Sequence, residues 1–152
     1  MPQTQSYFSL LALACLVALA SCTGRPAGVT PAATPEATVG QFLAAVNAND
    51  LERMAHLFGD ERGRAAWGTA VARQERLAIM QHLLRADSAR IGAPEPDSTG
   101  VATRRLLHVE LFGADRRARV PFVVAQQRSG GWLVFAIGLT PLMPAPGGRR
   151  RP

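Results

Sequence analysis

The chain has 152 residues with 17 Lys and Arg, every one an Arg, against 11 Asp and Glu, for a formal charge of +6. A basic chain attracts nucleic acid, anionic lipid or acidic glycan. Aromatic residues make up only 6% and are not interleaved with the arginines, which speaks against a stacking surface for nucleic acid. The length suits one domain able to bury about two-thirds of its unfolded surface, and two cysteines exclude a disulfide framework.

Tyr7 to Ala20 reads YFSLLALACLVALA and carries no charge. The run is shorter than the roughly 20 residues of a membrane-spanning helix, and it lacks the polar face of a soluble surface helix. Its length suits the apolar region of a secretory signal that ends in small residues. Met1 to Ser6 holds no Lys or Arg, which departs from the usual pattern of such signals. Leu19-Ala20-Ser21-Cys22 closes the run and resembles a lipobox, the processing signal of bacterial lipoproteins. The resemblance implies cleavage between Ser21 and Cys22, diacylation of the Cys22 thiol and acylation of the new amino terminus. Cys15 leaves with the leader, so Cys22 is the only cysteine of the mature chain. Each buried methylene contributes roughly 0.8 kcal/mol and a single acyl chain holds only marginally. Several chains hold permanently, so the lipid bilayer is the first expected partner. Thr23 stands where the inner-membrane retention signal of enteric lipoproteins has Asp, so the resemblance implies the outer membrane, facing the periplasm. Two other readings stay open: an unlipidated secretory signal, and a buried apolar helix in which Cys22 is a core thiol.

Residues 22–33 form the lipidated Cys and a Gly/Pro/Ala/Thr-rich tether. Thr34-Pro35-Glu36 starts a helix: Thr caps, Pro takes the first helical position, and Glu suits the positive end of the dipole. Val39, Phe42, Leu43 and Val46 give its apolar stripe. Asn47 to Asp50 breaks it, with an Asn able to turn left-handed and Asp50 placed to cap the next helix. Leu51, Met54, Ala55 and Phe58 stripe that second helix, and Gly59 ends it. Asp60 to Gly68 reads as a loop whose Trp67 plugs the core. Thr69 to Ala86 is a third helix, with Leu77, Met80 and Leu84 inward and Ile79 and Leu83 widening the stripe. Ser88 to Gly92 is a short strand, and Ala93 to Gly100 a turn-rich loop.

The last third changes period. Val101 to Phe112, Arg116 to Gln127 and Trp132 to Thr140 are rich in β-branched and aromatic residues, and short Gly-bearing links join them as antiparallel hairpins. Neither face of the first strand is purely polar, so the sheet is expected to be covered on much of both sides. Pro121 belongs at an edge or a bulge, because it cannot donate to the ladder. Residues 143–152 form a Pro/Gly/Arg tail in which Arg149, Arg150 and Arg151 can touch anionic headgroups or stay solvated.

Helices first and antiparallel strands after make an α+β domain over residues 34–142, with N-terminal helices packed on a curved sheet. The opening TPEATVGQFLAAVNANDLERMAHLF and the final GGWLVFAI resemble the nuclear-transport-factor-two-like superfamily. That resemblance implies a cone in which a curved sheet wraps a long helix. The superfamily includes isomerases, dehydratases and many non-enzymes, so its fold does not decide function.

The search for chemistry yields little. His56, His82 and His108 are the only histidines, and none is followed at i+3 or i+4 by a second His, Cys or carboxylate with metal-ligand character, so no metal and no cofactor is expected. His56 and Asp60 are four apart, but Gly59 interrupts the helix between them. There is no nucleophile elbow, and Gly130-Gly131 precedes a strand rather than the helix a phosphate loop needs. His108 and Glu110 share a strand face and form the best pocket pair, with Trp132 lining the pocket or filling the core and Asp115 near the hairpin. The bland counterpart is a solvated face in which Glu110 pairs with Arg104 or with a cross-strand Arg117 or Arg119. The leading expectation is a non-catalytic envelope lipoprotein that binds another envelope protein or a small apolar ligand. The alternative is a small pocket enzyme, an isomerase, hydratase or hydrolase of an apolar molecule. A third reading is a dimeric scaffold that uses the outer face of the sheet.

Overall fold

The computed structural model describes residues 30–66 and 68–143. Ser21 and Cys22, with the whole leader, lie outside the described residues, as do Trp67 and the arginine tail.

Three helices precede the main sheet. Helix α1 spans Pro35–Asn47, and Thr34 caps it by accepting from the Ala37 amide. Asn49 takes φ 56°, the left-handed turn that reverses the chain. Asp50 then accepts from the Arg53 amide and caps α2, Leu51–His56. That helix stops before Phe58, and Leu57 rather than Phe58 is fully buried. Helix α3 spans Ala70–Leu84, capped by Thr69.

The expected loop from Asp60 to Gly68 contains a small hairpin instead: β1, Gly59–Asp60, pairs with β2, Gly63–Arg64. The Asp60 carboxylate accepts from the Arg62 and Gly63 amides, which closes the turn. No apolar alternation marks a two-residue strand, which is why the sequence reads as a loop.

The main antiparallel sheet has the order β3-β5-β6-β7, with β4 also on β5. Its strands are β3 Ser88–Ile91, β4 Glu95–Pro96, β5 Arg104–Gly113, β6 Arg116–Gln126 and β7 Trp132–Ile137. Strand β5 starts later than expected, because the Arg104 amide closes a turn onto the Val101 carbonyl. The chain beyond β7 turns into a short 3-10 helix, Thr140–Leu142. Ala32, read as tether, bridges to Trp132 on the edge of β7. The α+β class with N-terminal helices on an antiparallel sheet is the architecture observed.

Pro121 lies in an interior strand, not an edge. Its partner on β5 is His108, whose carbonyl points the other way to accept from Gly92. On the β7 side Pro121 meets Gly138, just past the end of that strand. The one bond that Pro121 cannot donate thus falls opposite Gly138, where β7 has already ended. The register also shifts between Val123 and Val124, so Pro121 sits beside a bulge.

The core lies between the helices and one face of the sheet. Val39, Phe42 and Val46 of α1, Met54 and Leu57 at α2, and Leu107, Val109, Phe122 and Val124 of the sheet are all 0% exposed. Each such side chain contributes about 1.5–3 kcal/mol by leaving water. Phe42 meets Phe122 edge-on with centroids 6.3 Å apart, and Phe58 at 6.2 Å. Thr38, buried, donates to the carbonyls of Thr34 and Trp132, which ties α1 to β7.

Two expectations are corrected here. Helix α3 buries only Leu77 and Leu84; Ile79 is 60% exposed, while Met80 and Leu83 are half-buried. One turn of that stripe overreaches because α3 packs on α1 and α2 through a narrow line. The described residues, moreover, cover the sheet fully on one face only. Burial alternates along β5, with Leu107, Val109 and Leu111 inside and Leu106, His108, Glu110 and Phe112 half-buried outside. Leu106 and Phe112 made both faces look apolar, but among the described residues no second layer spans the outer one. The β1–β2 hairpin covers just one end of it, over Leu133, which is 1% exposed.

Candidate functional site

The period-two alternation of β5 aims His108 and Glu110 outward together. Register places Arg90 of β3 and Arg119 of β6 on either side of Glu110, so Arg90, Glu110 and Arg119 form one row across three strands. One step along, the Gly92 amide donates to the His108 carbonyl at 2.9 Å. A Cβ at Gly92 would stand 2.9 Å from that oxygen, so only glycine lets the chain approach this closely. The result is a groove of about 270 Å³ at the β3–β4 edge, lined by Arg90, Gly92, Glu95, His108, Glu110 and Arg119 among others.

The structure thus brings His108 and Glu110 to one groove, on the outer face rather than inside the cone. Trp132 is not with them. It is 8% exposed within the core, and its amide donates to the Ala32 carbonyl. Asp115 stands exposed in the β5–β6 turn. Glu110 takes its ion-pair partner diagonally: Arg117 Nη2 donates to its Oε2 at 3.1 Å. The same guanidinium lies 5.1 Å from the Phe112 ring centroid. Arg119 stands directly opposite Glu110 without an ion pair to it, and Arg90 likewise has none among the described residues.

Arg104 pairs elsewhere. Its Nε donates to Glu61 Oε1 at 2.6 Å, and its guanidinium stacks 3.9 Å over Phe135. That hydrogen bond holds the Glu61 carboxyl below its ordinary range, and the Glu61 backbone amide adds to the effect. The same bond raises the Arg104 pKa. This node pins the β1–β2 turn to the outer face of the sheet. Sequence reasoning did not find Glu61, because 43 residues separate it from Arg104.

A second groove of about 290 Å³ runs between α2 and α3. Leu51, Ala55 and Leu77 line its apolar side, and Glu52, His56 and Arg73 its polar side. Here His56 pairs by position with Glu52, one turn earlier, rather than with Asp60, which has left the helix for β1. His82 is exposed on α3. Among the described residues no three His, Cys, Asp or Glu side chains gather into a metal site, and no helix is long and apolar enough to cross a membrane.

Sequence reasoning missed Arg90, Gly92 and Glu95 as groove residues. Their signal was weak, since a four-residue strand and a turn-rich loop give no register from periodicity alone.

No family model and no curated protein matches the chain. Among solved structures, one described as "Rd1NTF2_05 with long sheet" is similar at TM-score 0.43 and 14% identity, over 65% of this chain and 89% of that one. The epoxide hydrolase/cyclase-like enzyme SalBIII of pyran ring formation in salinomycin is similar at TM-score 0.37 and 16% identity, over 69% and 91%. The Orange Carotenoid Protein of Anabaena (Nostoc) sp. PCC 7120 binding canthaxanthin is similar at 0.35 and 16%, over 76% and 39%. At these scores and identities no residue role and no activity passes to this chain.

Proposed function

We propose that this chain is a membrane-anchored, non-catalytic binding module of a bacterial cell envelope. Cys22, acylated after removal of residues 1–21, is the anchor, and the outer membrane facing the periplasm is the location. The folded domain carries the recognition. Support for the anchor is the Leu19-Ala20-Ser21-Cys22 stretch behind an uncharged apolar run.

The observation that carries the binding reading is the occupied interior. A pocket enzyme for an apolar molecule needs room between α1 and the inner face of the sheet. Here Phe42, Met54, Leu57 and Phe122 occupy that space at 0% exposure. His108 and Glu110, the pair best suited to proton transfer, instead face a groove with charged walls at Arg90, Glu95 and Arg119.

Two measurements test the proposal. Mass spectrometry of the protein from its native membrane is expected to give a chain that begins at Cys22 and carries acyl mass on it. An intact leader or a bare sulfur there would sink the anchor. Xenon, titrated against methyl-labelled protein, is expected to leave the Val109 and Val124 methyl shifts in place. Saturable shifts there would reveal an enterable interior and favour the pocket-enzyme alternative.

A further inference from the structure

We infer that the outer-face groove is a recognition site for a phosphate group, held between Arg90 and Arg119. The inference deepens the reading of this domain as a binding module, and it does not rest on the acyl anchor.

The argument starts from register. Arg90, Glu110 and Arg119 stand in one row on three adjacent strands. Neighbouring strands lie about 4.8 Å apart, so the two arginine backbones flank the row at a span of roughly 10 Å. An Arg side chain covers half of that span from either side.

Glu110 would ordinarily neutralise such a pair. It does not, because its carboxylate is bonded to Arg117 one step along β6. Arg90 and Arg119 are both exposed, and neither has an ion pair among the described residues. Two guanidiniums thus border one groove, each with donors to spare. An Arg fork matches the oxygens of phosphate or carboxylate. Here two forks approach from opposite strands. A carboxylate presents two oxygens in one plane, whereas a tetrahedral phosphate presents more oxygens in different directions and so suits two forks from opposite strands better.

The rest of the groove agrees with this choice. Gly92 keeps its rim low, since any Cβ there would press on the His108 carbonyl. The His108 ring, one row along, offers a further N–H. Glu95 on β4 is the one lining carboxylate without a cation, and it lies in register with Leu106, two rows away from Arg90. It bounds the site on that side and disfavours a longer polyanion. Glu110 is an internal competitor: freed from Arg117, it would turn to Arg119 and close the site.

The test uses the full chain in neutral detergent and phosphorus NMR of inorganic phosphate. A saturable broadening curve is expected. Arg90→Gln and Arg119→Gln should each weaken binding about tenfold, the loss of one charged fork. Arg117→Gln should also weaken it, although Arg117 does not line the groove, because Glu110 is released. Glu110→Gln should tighten it by removing a fixed negative charge. A general surface-charge effect predicts the same loss for Arg117→Gln whether residue 110 is Glu or Gln, whereas release of Glu110 predicts no loss once residue 110 is Gln. Absence of that loss in the double variant is therefore the signature of the mechanism.

Short-chain phosphatidylglycerol added to the same samples separates the sources. Displacement of inorganic phosphate identifies a lipid headgroup as the natural occupant, and no displacement identifies a soluble phosphate. Either result supports the site. An absence of binding by both probes overturns it, as does binding that Arg90→Gln and Arg119→Gln leave unchanged. A bare sulfur at Cys22 would remove the anchor and leave the phosphate curve as it is, so the two failures are distinguishable.

Discussion

The two faces of the main sheet are built from alternate residues of the same strands, yet they do opposite things. Leu107, Val109, Leu111, Val120, Phe122 and Val124 turn inward and are at most 1% exposed. Their immediate neighbours Leu106, His108, Glu110, Pro121 and Val123 turn outward and stay half-buried. The inner face carries stability, because apolar area removed from water scales with burial. The outer face carries the charges and the glycine-lined groove. Alternation lets one segment serve both ends without compromise: a substitution at an even position of β5 leaves the inward packing untouched.

That contrast can be broken most sharply from inside. Phe122→Ala removes a ring that touches Phe42 and is expected to cost about 3–5 kcal/mol. Denaturant titration reads it as a lower midpoint, and a loss below about 1 kcal/mol would mean that the inner face is not the core.

The next effect sharpens the contrast, since one end of the outer face is covered. At Gly59 a Cβ would stand 2.2 Å from the Gly63 carbonyl oxygen and 2.6 Å from Leu133 Cδ1. Gly59→Ala is therefore expected to cost about 1–3 kcal/mol as an overpacked site, with faster hydrogen exchange at the Leu133 and Val134 amides. Unchanged exchange would place the hairpin away from the sheet.

A smaller effect comes from the Glu61–Arg104 pair. The folded Glu61 pKa lies below its ordinary 4.5, so the folded state binds the proton less readily than the unfolded one. The stabilisation is then complete above the ordinary value and fades as pH falls through the lowered one. Glu61→Gln should lower Tm at pH 7, and the gap to the parent should narrow on acidification. A gap that widens toward acid would reverse the assigned sign.

The smallest effect is on the open surface. Glu110→Gln breaks the pair with Arg117, whose side chain is 67% exposed, and exposed pairs contribute about 0–1 kcal/mol. Melting curves should nearly superimpose even as phosphate binding changes, which would separate the two faces most cleanly.

The local signals in the chain were readable wherever the cause was local. Thr34, Asn49 and Asp50 act through atoms within a few residues, so the first two helices and the turn between them followed from their order. Strong β-branched runs located β5, β6 and β7, and the glycines around Gly130 marked a turn whose φ is positive at Gly130 and Gly131. The β1–β2 hairpin did not show, since two-residue strands have no period. The stripe on α3 was overestimated at Ile79, because an apolar residue only permits burial and a neighbour must supply it.

The candidate site divides the same way. That His108 and Glu110 share a face follows from their spacing alone. That they face outward, and that Trp132 does not join them, depends on which side α1 covers. The choice of Arg117 over Arg119 and Arg104 as the partner of Glu110 depends on register and on Glu61, which claims Arg104 from 43 residues away.

The order of residues alone determined the α+β class, the capped helices, the shared face of His108 and Glu110 on β5 and the lipobox-like stretch that ends at Cys22. Tertiary structure alone decided which sheet face meets the helices, which cations remain unpaired and that Arg90 stands beside Glu110. The physical reason is range. Backbone preference and alternation act over a few bonds, whereas burial and charge pairing are settled between segments that meet only once the chain has folded.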